Sequence, residues 1–146
     1  MRNKRVLGMI GALLAIILVA VVYPMLNNKN DANKADGTKK VKVGVLQLVS
    51  HPSLDEIYKG IQDGLAEEGY DKEKIEIEFL NAEGDQNKVA TMSKQLVQKN
   101  NDVLIGIATP SAQGLASATK DKPIVMGAIT DPVGANLVKD LKKPGG

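Results

Sequence analysis

The chain has 146 residues, 43% hydrophobic and 25% charged, a globular composition that leaves about a hundred residues for one domain with one core once a tail is set aside. The formal charge of +2 misleads, because Arg2, Lys4 and Arg5 are three of nineteen basic residues and the other sixteen face seventeen acids. No basic stripe with interleaved aromatics remains, which argues against nucleic acid, and the lack of cysteine excludes disulfides, thiolate metal sites and lipid attachment through a thiol.

After the basic cluster comes an uncharged, mostly apolar run from Val6 to Tyr23, close to the lower limit of about 18 residues for a helix that spans a bilayer. It ends Val21-Val22-Tyr23-Pro24, a poor cleavage site, so residues 1–24 read as an uncleaved membrane anchor ahead of the alternative, a removed signal peptide. Positive residues stay inside. That rule expects a cytoplasmic N-terminus and an extracellular domain. Residues 25–40 carry almost nothing to bury and form a flexible linker. Asp31, Asn33, Asp36 and Gly37 there imitate a calcium loop, but Ala35 occupies a ligand position and no closing Glu follows.

The folded domain spans 41–146. An apolar run from Val41 to Val49 predicts a first strand. Ser53 with Glu56 makes a capping box, and Leu54, Ile57, Tyr58, Ile61 and Leu65 recur at helical spacing until Gly69. A second strand is expected at Ile75 to Leu80, followed by Asp85 as the cap of a helix with Val89, Met92, Leu96 and Val97 on its apolar face. Val103 to Ile107 has the near-continuous hydrophobicity of a strand buried on both faces. Thr109 then reads as an N-cap and Pro110 as the first residue of a helix to Lys120, which would leave the amides of Ser111 and Ala112 free at the positive end of the dipole. Ile124 to Ile129 predicts a fourth strand, and Asp131-Pro132 repeats the same cap-and-proline grammar.

Strands alternating with helices predict an α/β fold: a three-layer parallel sheet with helices on both faces, joined by right-handed crossovers. Ligands of such sheets sit outside the carboxyl ends of the strands. The turns meeting there offer Ser53, Gln86, Thr109, Ser111, Ala112, Gln113, Thr130 and Asp131 as candidate ligand-binding residues. Enzyme chemistry finds little support. His51 is the single histidine, neither Ser53 nor Ser111 lies in Gly-x-Ser-x-Gly, and nucleotide-binding glycine loops are missing. One His and no Cys leave little for a transition metal, and no cofactor is expected.

Val43-Gly44-Val45, His51-Pro52-Ser53-Leu54-Asp55, Asn81-Ala82-Glu83-Gly84-Asp85-Gln86, Ala108-Thr109-Pro110-Ser111-Ala112-Gln113 and Thr130-Asp131-Pro132-Val133 together resemble the substrate-binding proteins of bacterial ABC transporters, in the branch associated with tryptophan and tyrosine uptake. The resemblance implies one lobe of a type I periplasmic-binding-protein-like clamshell, which captures a small molecule such as an amino acid outside the membrane. Delivery to the permease and ATPase subunits of an importer would follow. The sequence reaches Lys143-Pro144-Gly145-Gly146 where the family continues into a second lobe, so the expectation is a fragment truncated after the first lobe, ahead of a free-standing half-lobe. A membrane-tethered sensor or scaffold lobe without a transport role is the alternative.

Overall fold

The computed structural model describes residues 39–145. The apolar segment 6–23 and most of the tether lie outside the described residues. Four strands, β1 (Val41–Gln47), β2 (Ile75–Asn81), β3 (Val103–Ile107) and β4 (Ile124–Gly127), alternate with three helices, α1 (Pro52–Glu67), α2 (Gln86–Gln98) and α3 (Thr109–Ala118). All strand pairs are parallel, in the order β2-β1-β3-β4. Among the described residues, no helix is long and apolar enough to cross a membrane.

Alternation along the strands builds two cores. Val43, Val45, Ile75, Ile105 and Ile107 face α1 and meet Leu54, Ile57, Tyr58, Ile61 and Leu65. Leu46, Leu104 and Ala82 face the other way, onto Val89 and Leu96 of α2 and Leu115 of α3. Crossovers of one hand require this arrangement, because β1 to β2 runs one way along the sheet and β2 to β3 to β4 runs the other. Leu46, Leu96, Leu104 and Leu115 are fully buried, each contributing about 2 kcal/mol of transfer free energy.

Several helix ends follow the sequence closely. Asp85 caps α2, its side chain accepting the amides of Asn87 at 2.7 Å and Lys88 at 3.3 Å. Gly69 takes φ 84, and bonds from Tyr70 N to Leu65 O and Gly69 N to Ala66 O close α1 with the double bond of a left-handed C-cap.

Other ends shift. α1 starts at Pro52 with His51, not Ser53, as N-cap; the His51 Nδ1 accepts the Ser53 amide at 3.3 Å. Proline suits the first helical position, which moves the cap back two residues, from Ser53 to His51. α3 likewise begins at Thr109, so the N-cap is Ala108 and it makes no side-chain capping bond. α3 ends at Ala118, short of Lys120, where Thr119 turns extended and its hydroxyl accepts the amides of Asp121 and Lys122. β1 stops at Gln47. β4 stops at Gly127, where Ala128 at φ 56 turns the chain out of the sheet. The helix expected after Asp131 is replaced by overlapping turns: Asp131 Oδ1 accepts the Gly134 amide at 2.8 Å, and Asn136 at φ 57 interrupts any helical continuation.

Candidate functional site

Strand order reverses between β1 and β3, because the chain leaves β1 toward β2 and then crosses back to reach β3. A crevice at the carboxyl ends of these two strands is where open parallel sheets hold ligands. The turns at this edge are tied together. Leu48 N donates to Ile107 O at 3.3 Å, Gly84 N to Leu48 O at 2.8 Å, and Ala108 N to Gly127 O at 2.9 Å. Asn81 Nδ2 donates to Ser50 Oγ at 2.8 Å.

The β3–α3 turn is the most constrained of them. Ala108 holds φ 75 and ψ 152, a region other residues leave to glycine and one that costs on the order of 1–3 kcal/mol. Its carbonyl accepts both the Ser111 amide at 3.1 Å and the Ala112 amide at 3.2 Å. Those two amides are therefore not free, contrary to the expectation from a Thr109 cap. Pro110 has no donor, so the Thr109 amide and hydroxyl are the donors this helix start presents. Two residues on, the Ser111 side chain is fully buried, and its hydroxyl has no hydrogen-bond partner among the described residues. The turn presses on the sheet, since a Cβ on Gly106 would lie 2.6 Å from the Ala112 Cα.

The remaining candidates fall in three places. Ser53 is exposed in the first turn of α1, beside the switch point. Gln86 and Gln113 come together with Pro110 along a groove of about 250 Å³ between α2 and α3, where Gln113 Nε2 also donates to Ala135 O at 3.0 Å. Thr130 and Asp131 are exposed beyond β4, and the Asp131 carboxylate is turned onto its own turn at Gly134. The aromatic side chains Tyr58 and Phe79 pack on each other, ring centroids 4.3 Å apart, and burial pushes the Tyr58 hydroxyl pKa up.

Sequence reasoning passed over one polar pair. Gln47, the last residue of β1, is fully buried, registers between Asn81 and Ile107, and donates from Nε2 to Asp55 Oδ1 at 2.7 Å and to Val49 O at 3.0 Å. The available signal was the alternation itself, which puts Gln47 on the same side of the strand as Val43 and Val45.

Comparison with known proteins places the chain in a family. Residues 42–146 match the family described as ABC transporter substrate binding protein. The chain is 46% identical over 121 residues to a tyrosine-binding protein of Clostridioides difficile, an alignment covering 82% of this chain and 35% of the relative. Among solved structures it is similar to an ABC domain from Streptococcus pneumonia in complex with L-Trp, at 74% identity and a TM-score of 0.73, covering 74% of this chain and 37% of that one. The ligand-free, open structure of a substrate binding protein with adhesive properties from Clostridium difficile matches at 43% identity and a TM-score of 0.69, covering 71% and 36%. The chain spans about a third of the length of the curated relative it matches. The four-stranded parallel sheet is thus that of a periplasmic-binding-protein-like fold, and the chain belongs to the ABC transporter substrate-binding protein family.

Proposed function

We propose that this chain supplies one wall of a site for an aromatic amino acid, tryptophan or tyrosine, in the extracytoplasmic solute-binding component of an ABC importer. It acts as a binding protein and not as an enzyme, anchored by its N-terminal apolar segment, with the importer's permease and ATPase as partners. The observation that carries the reading is the β3–α3 turn at the switch point, where a strained Ala108 and a fully buried, unpartnered Ser111 hydroxyl sit at a helix start. Strain of this kind is retained where the surroundings over-determine it, commonly at ligand clamps. The ligand carboxylate is taken by the Thr109 amide and hydroxyl beside the positive end of α3, with the Ser111 hydroxyl beneath. Ala112 packs the helix start onto Gly106. Ser53, Gln86, Gln113, Thr130 and Asp131 form the polar rim.

A relative named for tyrosine and another solved with L-Trp support the choice of ligand. One wall supplies only part of the contacts and of the exclusion of water. The full chain in detergent is therefore expected to bind L-tryptophan at about millimolar Kd by saturation-transfer NMR. Thr109→Val should weaken that binding by about 1 kcal/mol. Binding that is absent, or indifferent to Thr109→Val, would refute the site.

A further inference from the structure

A free amino acid brings a cation as well as a carboxylate, and the edge holds several acids that differ in what already occupies them. Glu83 is paired with Lys88. Asp85 is committed to two amides as the cap of α2. Asp131 is folded onto Gly134. Glu56 is exposed on α1 without a fixing partner among the described residues. Asp55 belongs to none of the ion pairs of the described residues and is held differently from Asp85 and Asp131: its Oδ1 accepts not a local backbone amide but the side chain of the buried Gln47, at 2.7 Å.

The pin is well determined. Both neighbours of the Gln47 amide, Val49 O and Asp55 Oδ1, are acceptors, so its nitrogen must face them and both of its hydrogens are used. Its Oε1 is left buried without a partner among the described residues, an arrangement that costs stability and that a leucine at this position would avoid. α1 also starts in the right place. Ile57, two residues after Asp55, lies 3.7 Å from where a Cβ on Gly127 would be, and the neighbouring contact there is Ile107 at 3.5 Å, so α1 packs at the carboxyl ends of β3 and β4 through its second turn, with Asp55 in the turn before it.

We infer that Asp55 is the counter-charge for the ammonium of the bound amino acid, with Gln47 as the positioning residue that fixes its carboxylate at the edge. The inference rests on the proposed amino-acid site. Gln47 donates both hydrogens and thereby keeps one carboxylate oxygen fixed, leaving Oδ2 to accept from the ligand. A carboxylate fixed before binding loses less entropy than a mobile one such as Glu56. The competing account is that Asp55 merely complements the dipole at the start of α1.

The test compares L-tryptophan with indole-3-propionate, which keeps the ring and carboxylate and lacks the ammonium, by saturation-transfer NMR on the full chain in detergent. The wild-type chain is expected to prefer L-tryptophan by about tenfold, as a charge-assisted bond would give. Asp55→Asn can still accept from Gln47, so its fold is retained, and it should lose that preference while holding indole-3-propionate as before. Gln47→Met should reduce the preference to about threefold, since the charge stays and only its placement is lost. If Asp55→Asn keeps the wild-type preference, or weakens both probes alike, Asp55 does not meet the ammonium and the inference fails while the site stands. If the wild-type chain binds neither probe, the amino-acid site itself fails and this inference with it.

Discussion

Two turns of this chain carry the same instruction and end differently. Thr109-Pro110 and Asp131-Pro132 each offer a capping residue followed by proline after a strand. The first opens α3, and the second opens only a run of turns. Asp131 is the better cap by residue type, and its side chain does accept the Gly134 amide, whereas α3 starts on Ala108 with no side-chain cap. Capping therefore did not decide the outcome. α3 buries Ser111, Ala112 and Leu115 against β3 and α2, while Val133 stays exposed and Leu137 and Val138 are half-buried. A short helix is marginal on local terms alone, and packing of an apolar face sustains it.

Breaking the packing of α3 should produce the largest effect. Leu115→Ala removes a fully buried side chain and is expected to cost about 3 kcal/mol in urea unfolding. Leu137→Ala, half-buried beyond β4, should cost under about 1 kcal/mol. Equal losses would show that the segment after Asp131 is packed as firmly as α3 and would remove the contrast.

The next effect separates two glycines on adjacent strands. A Cβ on Gly106 would meet the Ala112 Cα at 2.6 Å and N at 2.7 Å, both backbone, while one on Gly127 meets Ile107 Cγ1 at an ordinary 3.5 Å. Gly106→Ala must push the start of α3 off the sheet and should cost about 2 kcal/mol. Gly127→Ala should stay within about 0.5 kcal/mol. A tolerant Gly106 would mean that the close approach does not hold the helix start in place.

This close approach also explains what the sequence could not disclose. The strands, the apolar faces of the helices, the Asp85 cap and the Gly69 stop are local or periodic signals, and each was legible from side-chain spacing. The position of the α3 start was not. Thr109 is a good cap on local grounds, but seating Ala112 against Gly106 begins the helix one residue early, forces Ala108 to φ 75 and turns the Ser111 and Ala112 amides onto its carbonyl. For Gln47 the alternation of β1 indicates the side of the strand but not the partner. Its bond to Asp55 joins a strand end to a helix start eight residues on, and the register of β1 between β2 and β3 encloses it there.

Caps come next in size. Asp85→Ala removes an acceptor for two amides at the start of a packed helix and should cost about 1 kcal/mol. Asp131→Ala removes an acceptor for one amide in exposed turns, and should cost about half of that or less. If Asp131→Ala proves the more damaging, the turns after β4 are held by their cap and not idle for want of packing.

The smallest effect on stability is expected at Ser111, and its sign is informative. Its hydroxyl is fully buried with no partner, so in the unliganded chain it brings the desolvation cost of a polar group and no bond to offset it. Alanine fits the same space and has no such cost. Ser111→Ala should therefore leave urea stability unchanged or raise it by about 0.5 kcal/mol, while weakening L-tryptophan binding by about 1 kcal/mol if the hydroxyl completes the carboxylate site. Opposite movements of stability and affinity would mark a residue retained for a ligand at some expense to the fold. A loss of stability with unchanged affinity would instead mean that the hydroxyl has a structural role at the helix start, and the turn that opens α3 would differ from the one after β4 in packing alone.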